Sequence, residues 1–192
     1  MEQLKVYVIL GSTRQNRFGE QPARWIFEEA KKRTELDVEF IDLRDYPLPL
    51  FDEPVSPASN KGQYVNPDAK KWAKKIAKAD GYIWVTPEYN HSYSAVLKNA
   101  IDYVFPEWAK KPVAMVGYGA VGAARAVEHL RGIAAELQMA SMRTAVHIPA
   151  FWNLLDDKGQ LKTESFNNTA QLMLDQLIWW AHALKIARLQ DK

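Results

Sequence analysis

Short apolar runs alternate along this chain with longer stretches in which apolar residues recur at helical spacing. The short runs are rich in β-branched residues and predict strands, and the alternation predicts consecutive βαβ units around a parallel sheet. The predicted strands cover 4–10, 38–42, 82–86, 113–117 and 143–148. The first, third and fourth are almost continuously apolar, which is typical of strands covered by helices on both faces.

Helices are predicted between these strands, where the spacing of apolar residues changes to about 3.6 residues. They cover 20–33, 68–78, 94–105, 123–138 and 164–188. Two segments depart from the alternation. Residues 43–67 contain five prolines and are longer than an ordinary strand-to-helix connection, and residues 149–160 carry Phe151 and Trp152 before a turn. Such long connections are usually functional or mobile.

Composition and charge narrow the function classes. The 192 residues, 47% of them hydrophobic, predict one domain spanning 1–192. With 25 basic and 23 acidic residues the net charge is +2, which gives no electrostatic basis for binding nucleic acid. The absence of cysteine excludes disulfides, thiolate metal sites and cysteine nucleophiles. No apolar stretch has the length of a membrane span and no signal-peptide pattern follows Met1, so we expect a cytoplasmic protein that does not bind membranes.

The loop after the first strand has the composition of a phosphate site. In an open parallel sheet, ligands bind beyond the carboxyl ends of the strands, beside the point where strand order reverses. Residues 11–19 place Ser12, Arg14, Arg17 and Gly19 at the start of a helix, where hydroxyl, guanidinium and N–H groups suit a phosphate. The loop lacks both the Walker A lysine and the three-glycine spacing of dinucleotide-binding turns, which favours a monophosphate. A simple helix cap would use similar residues.

The loops after the third and fourth strands suit a planar ring. Pro87 stiffens the first of them, Tyr89 offers a flat apolar face, and Glu88 and Asn90 offer polar groups for the edge of a heterocycle. Around Gly119 in the second loop, small residues would allow the backbone to approach a ring closely. Ordinary turn and helix-capping chemistry would also explain each loop taken alone.

In combination, these loops resemble the NADPH-dependent FMN reductase family, which includes quinone reductases, azoreductases and chromate-reducing flavoproteins. The resemblance rests on Gly-Ser-Thr-Arg at 11–14, Pro-Glu-Tyr-Asn at 87–90 and Leu-Lys-Asn-Ala-Ile-Asp at 97–102, and covers roughly residues 1–150. It implies a flavodoxin-like three-layer sandwich with a five-stranded parallel sheet of order 2-1-3-4-5.

The resemblance also implies FMN as the cofactor and NADPH or NADH as the co-substrate. The FMN phosphate would lie at Ser12, Arg14 and the helix start, and Arg17 stands where relatives often have a hydroxyl residue. The isoalloxazine ring would lie against residues 87–90, with Gly119 opposite. Because the flavin carries the hydride transfer, no catalytic side chain and no metal is predicted. The acceptor would be a small molecule: a quinone, an azo compound, a metal oxyanion or free flavin.

Two other functions are compatible with the same loops. A non-enzymatic flavodoxin-like electron carrier would use the same pocket, although such carriers are usually strongly acidic. A phosphatase or nucleoside-processing enzyme would use the first loop for phosphate chemistry. The histidines at 91, 129, 147 and 182 are predicted to be structural or exposed. Trp72, Trp179 and Trp180 are predicted to be core or subunit contacts, in a homodimer or homotetramer.

Overall fold

Leu4–Leu10 forms the first strand because its side chains are apolar on both faces and all but one are buried. The computed structural model describes residues 3–191. Its strands are β1 (Leu4–Leu10), β2 (Leu36–Asp42), β3 (Gly81–Pro87), β4 (Pro112–Gly119), β5 (Ala140–Ser141) and β6 (Val146–Pro149). All pairings are parallel, in the order β2-β1-β3-β4-β5, with β6 also paired to β4. The predicted order 2-1-3-4-5 is confirmed.

Helices cover both faces of the sheet. They are α1 (Glu20–Lys31), α2 (Pro67–Ile76), α3 (Ala95–Asp102), α4 (Ala124–Glu136) and α5 (Asn167–Gln190). Alternate residues of β1 enter two separate cores: Val8 packs with α1 and α5, whereas Ile9 packs with α2, α3 and α4. The result is the predicted three-layer sandwich. Within residues 3–191, no helix is long and apolar enough to cross a membrane.

The predicted fifth strand, 143–148, begins later than predicted, because only β6 overlaps it, and a further short strand, β5, precedes it. β5 pairs with the start of β4 and β6 pairs with its end. Between them, side chains replace the strand ladder. Arg131 donates to the carbonyl oxygens of Met142 and Arg143, and the Thr144 N–H donates to Gln176 Oε1 at 3.1 Å. Side chains therefore satisfy these three backbone groups in place of a strand partner. The apolar pattern predicted one strand here and did not show that two short strands form.

Candidate functional site

The loop from β1 to α1 is packed tightly against the end of β3. A Cβ on Gly11 would lie 2.8 Å from the Val85 carbonyl oxygen, and the Ser94 hydroxyl donates to the Gly11 carbonyl. Ser12 is buried, whereas Arg14 is exposed. Within the part of the chain that the structure describes, no side chain caps the N-terminus of α1 at Gly19. The loop therefore presents a hydroxyl, an exposed guanidinium and a helix N-terminus, which are groups that suit a phosphate.

Arg17 faces the protein interior rather than the solvent. Its side chain is 3% exposed, and its guanidinium donates to both carboxylate oxygens of Asp42 and, at 2.5 Å, to the Ser12 carbonyl oxygen. Burial by itself would raise the pKa of Asp42, but the hydrogen bonds from Arg17 and from the Arg44 N–H lower it overall. Arg17 Nε is buried and has no hydrogen-bond partner among the described residues, 3–191. The phosphate contact of Arg17 stays a prediction, and the geometry adds a role in holding the loop.

The loop after β3 is held by a tight hairpin turn. Tyr89 and Ser92 exchange backbone hydrogen bonds of 2.8 and 3.0 Å, while Asn90 and His91 adopt φ values of 48° and 68°. Two successive left-handed residues form the turn that joins strands most tightly, and asparagine tolerates that conformation better than most residues. The Tyr89 hydroxyl lies 3.5 Å from the Ser12 hydroxyl. The predicted phosphate loop and the predicted ring loop are therefore neighbours.

Glu88 joins the loop after β3 to helix α4. Its side chain is 6% exposed and forms an ion pair with Arg125, whose Nε donates to Glu88 Oε1 at 2.7 Å. The N–H groups of Arg125 and Ala126 donate to Oε2 at 3.1 and 3.4 Å. Burial by itself would raise the pKa of Glu88, but these donors lower it overall. The carboxylate thus caps α4, and the contact of Glu88 with the ring stays a prediction, as do those of Pro87, Tyr89 and Asn90.

The loop after β4 adds a residue that sequence reasoning missed. Gly119 lies beside Glu88, and its carbonyl oxygen accepts from Gly122 and Ala150 at 3.2 and 2.8 Å. The preceding residue, Tyr118, is buried, and its hydroxyl lies next to Gly19. A Cβ built on Gly19 would lie only 2.1 Å from the Tyr118 hydroxyl oxygen. Burial raises the pKa of Tyr118, so the group stays a neutral hydroxyl. The signal in the sequence that could have identified Tyr118 is its position directly after the predicted strand 113–117.

We call residues 43–67 the proline-rich segment. This segment closes one side of the sheet edge at which the carboxyl ends of the strands lie. The Asn99 amide accepts from the Phe51 N–H at 2.9 Å and donates to the Pro49 carbonyl at 2.7 Å, so it fastens the segment to α3. Arg44 donates to the carbonyl oxygens of Thr13 and Arg14 and ties the start of the segment to the phosphate loop. A cavity of about 210 Å³ lies between the phosphate loop, the proline-rich segment and α3. It is lined by Thr13, Leu43, Arg44, Tyr46, Pro47, Leu48, Val96, Asn99 and Ala100.

The predicted site residues all lie at or just beyond the carboxyl ends of β1, β3 and β4, as Ser12, Arg14, Arg17, Gly19, Pro87, Glu88, Tyr89, Asn90 and Gly119. A family model for NADPH-dependent FMN reductases matches residues 4–153, which include all three loops. The chain belongs to this family.

Individual members of the FMN reductase family and a solved structure are also similar to this chain. The chain is 41% identical to an NAD(P)H-dependent FMN reductase from Schizosaccharomyces pombe over 146 residues, which are 76% of this chain and 72% of the relative. It is 31% identical to a 2-hydroxy-1,4-benzoquinone reductase from a Burkholderia species over 191 residues, 95% of this chain and 99% of the relative. The flavoenzyme FerB, an NAD(P)H:(acceptor) oxidoreductase from Paracoccus denitrificans, superimposes with a TM-score of 0.73 at 23% identity. That superposition covers 94% of this chain and 98% of FerB and supports the flavodoxin-like fold.

Proposed function

We propose that this protein is an FMN-dependent NAD(P)H oxidoreductase that reduces quinones at the carboxyl edge of its sheet. The observation that carries the proposal is the 3.5 Å approach of the Ser12 and Tyr89 hydroxyls, because it joins a phosphate-type loop to a ring-type loop. Membership of the FMN reductase family supports an enzyme rather than the non-enzymatic electron carrier.

The residues present fit FMN. Ser12 and Arg14 would hold the phosphate at the uncapped N-terminus of α1, with the neutral Tyr118 hydroxyl nearby. Pro87, Tyr89 and Asn90 would lie along the ring, and Gly119 leaves room for it between the two loops. The Arg17–Asp42 pair would hold the phosphate loop in place. When bound, FMN supplies the hydride and electron transfer, and the protein supplies binding and orientation.

The choice of quinones among the predicted acceptors comes from one relative that matches along nearly its whole length, the benzoquinone reductase. A planar acceptor also suits an edge formed by Tyr89 and by the proline-rich segment that Asn99 holds in place. Azo compounds, metal oxyanions and free flavin stay as further predictions, as does the choice between NADPH and NADH.

A spectrum of the purified protein tests this proposal. We expect flavin absorption bands that bleach on anaerobic addition of NADPH or NADH and return when a benzoquinone is added. Mass spectrometry of the released cofactor should give FMN. Release of mainly FAD would contradict the single phosphate site. A flavin that neither nucleotide bleaches would instead indicate an electron carrier.

Two further proposals concern assembly and location. We propose a homodimer or homotetramer, because exposed tryptophans remain on the outer surface: Trp152 is 54% exposed, Trp179 64% and Trp180 41%. Trp72, in contrast, is fully buried and donates to the Ala100 carbonyl at 2.7 Å, so it is a core residue. The cytoplasmic location stays a prediction from the sequence.

A further inference from the structure

Helix α5 carries an apolar surface on the side that faces away from the sheet. Its inner side is buried, as Met173, Leu174, Leu177 and Ala181 are all fully inaccessible. Its outer side exposes Leu172, Trp179 and Ile186, which are spaced by seven residues and 51%, 64% and 58% exposed. At 3.6 residues per turn, this spacing places them in one line along the helix, together with the exposed Ala183. We call these four residues the α5 stripe.

The α5 stripe is large enough for a subunit contact. With Trp180, which is 41% exposed beside it, the stripe leaves about 400 Å² of apolar surface exposed, taking about 250 Å² for a whole tryptophan and about 150 Å² for an aliphatic side chain. Homodimer interfaces are about 65% apolar, so this corresponds to about 600 Å² per partner. Specific interfaces begin at about 1,200 Å² for the two partners together. The area therefore reaches the lower bound for a specific interface.

Charge at the stripe favours a second copy of the same chain. The stripe itself has no charged side chain, and Asp175, which flanks it, is already paired with Arg33 of α1 at 2.6 Å. On the other flank, the Gln176 amide donates to the Thr144 hydroxyl at 2.8 Å. Pairing two such surfaces buries no unpaired charge, and a strongly charged partner would find no opposite charge to bind.

The spacing also makes the stripe complementary to itself. A two-fold axis at Trp179 would place Leu172 of one copy beside Ile186 of the other, because each lies seven residues from the axis. Helices that pack along a seven-residue repeat cross at a shallow angle, and the antiparallel arrangement opposes their dipoles. We propose that two copies of this chain pair antiparallel through the α5 stripe. The proposal deepens the homo-oligomer proposed above and assigns it a surface remote from the carboxyl-edge loops.

Sedimentation velocity on the full protein with bound flavin tests the interface. We expect Trp179→Glu to halve the mass of the assembly at micromolar concentration and to weaken self-association by at least about 100-fold, as for other buried tryptophan anchors. Val65→Glu is the control, since Val65 is an apolar residue that is 70% exposed and lies outside α5, just before α2. It should keep the wild-type mass. A monomeric wild type, or a Trp179→Glu variant of unchanged mass, would overturn the proposal.

Cross-linking gives a second measurement that does not depend on removing a tryptophan. Because the chain has no cysteine, Ala183→Cys introduces a single thiol at the stripe. The two-fold axis at Trp179 separates the two thiols by about 12 Å along the helix, so a bismaleimide long enough to span that distance should link this variant into dimers. Glu28→Cys, exposed on α1, should stay monomeric on a denaturing gel. Equal linking of the two variants would count against the interface. Flavin content and nucleotide-dependent bleaching, measured on the same samples, report separately on the proposed function.

Discussion

Arg17 in the β1–α1 loop and Asp42 at the end of β2 form a partly buried ion pair behind the predicted phosphate loop. The same guanidinium donates to the Ser12 carbonyl, so the pair connects two neighbouring strand ends through the loop itself. Most of the hydrogen bonds that the Arg17 guanidinium donates are therefore made to other groups of the protein. The loop conformation should therefore depend on both members of the pair.

The first prediction is that Arg17 and Asp42 act as one unit. Arg17→Met and Asp42→Asn should each weaken FMN binding, and the double variant should bind no more weakly than the worse single variant. The expected coupling is about 0.5–3 kcal/mol, the range for residues in direct contact. Fluorescence titration of the apoprotein with FMN measures it. Additive effects would show that Arg17 acts without Asp42, as a direct phosphate contact would.

The second prediction separates the two arginines of the loop. Arg14 is exposed, and if it contacts the phosphate, Arg14→Ala should weaken FMN binding by roughly 1.5–3 kcal/mol, the value of a hydrogen bond to a charged group. Riboflavin, which lacks the phosphate, should bind the variant and the wild type equally. Arg143→Ala, at an exposed arginine outside the loop, is the control. An unchanged FMN dissociation constant would transfer the phosphate role to Arg17.

The third prediction concerns acid stability. The folded protein lowers the pKa values of Asp42 and Glu88 from their ordinary 3.8 and 4.5, so the unfolded chain binds more protons as the pH falls. The stability that both ion pairs contribute is complete above these ordinary values and is lost as the pH falls through the lower folded values. Urea unfolding between pH 7 and about pH 3 measures this loss. Glu88→Gln should make the free energy of unfolding less dependent on pH. An identical pH dependence in the variant and the wild type would exclude Glu88 as a contributor.

The fourth prediction concerns the proline-rich segment. Asn99→Ala removes the amide that accepts from Phe51 and donates to Pro49, so residues 48–51 should exchange backbone hydrogen faster while the core strands keep their protection. Hydrogen exchange read by mass spectrometry measures both regions in one experiment. Ser59→Ala, at an exposed position in the same segment, should leave exchange at 48–51 unchanged. Equal protection in Asn99→Ala and the wild type would show that other contacts hold the segment.

The fifth prediction is ping-pong kinetics. The three carboxyl-edge loops are all assigned to FMN, so the nicotinamide nucleotide and the acceptor must use the same space beside Tyr89 in turn. Initial rates against nucleotide concentration, at several quinone concentrations, should give parallel double-reciprocal lines. Changes at Tyr89 or Asn90 should alter the reaction with both substrates. Lines that intersect would indicate a ternary complex and separate sites.

Much of the fold follows from local pattern. The apolar run of β1 and the alternation of strands and helices predict a parallel sheet covered on both faces, since buried strands are apolar throughout and helices repeat every 3.6 residues. The motifs at 11–14 and 87–90 predict which strand ends carry the site and, through the family they resemble, which cofactor it binds. These features depend on residues close together in the chain.

Contacts between distant segments were decided by the tertiary structure alone. Glu88 is predicted as a contact for the ring, and folding adds a second role, because it places the carboxylate at the N-terminus of α4, where Arg125 and two N–H groups bind it. Asp42 meets Arg17, and Tyr118 meets Gly19, only because the parallel strands place their carboxyl ends side by side. The partner of a charged or hydroxyl group depends on which donors surround it after packing, and no local periodicity encodes that neighbourhood.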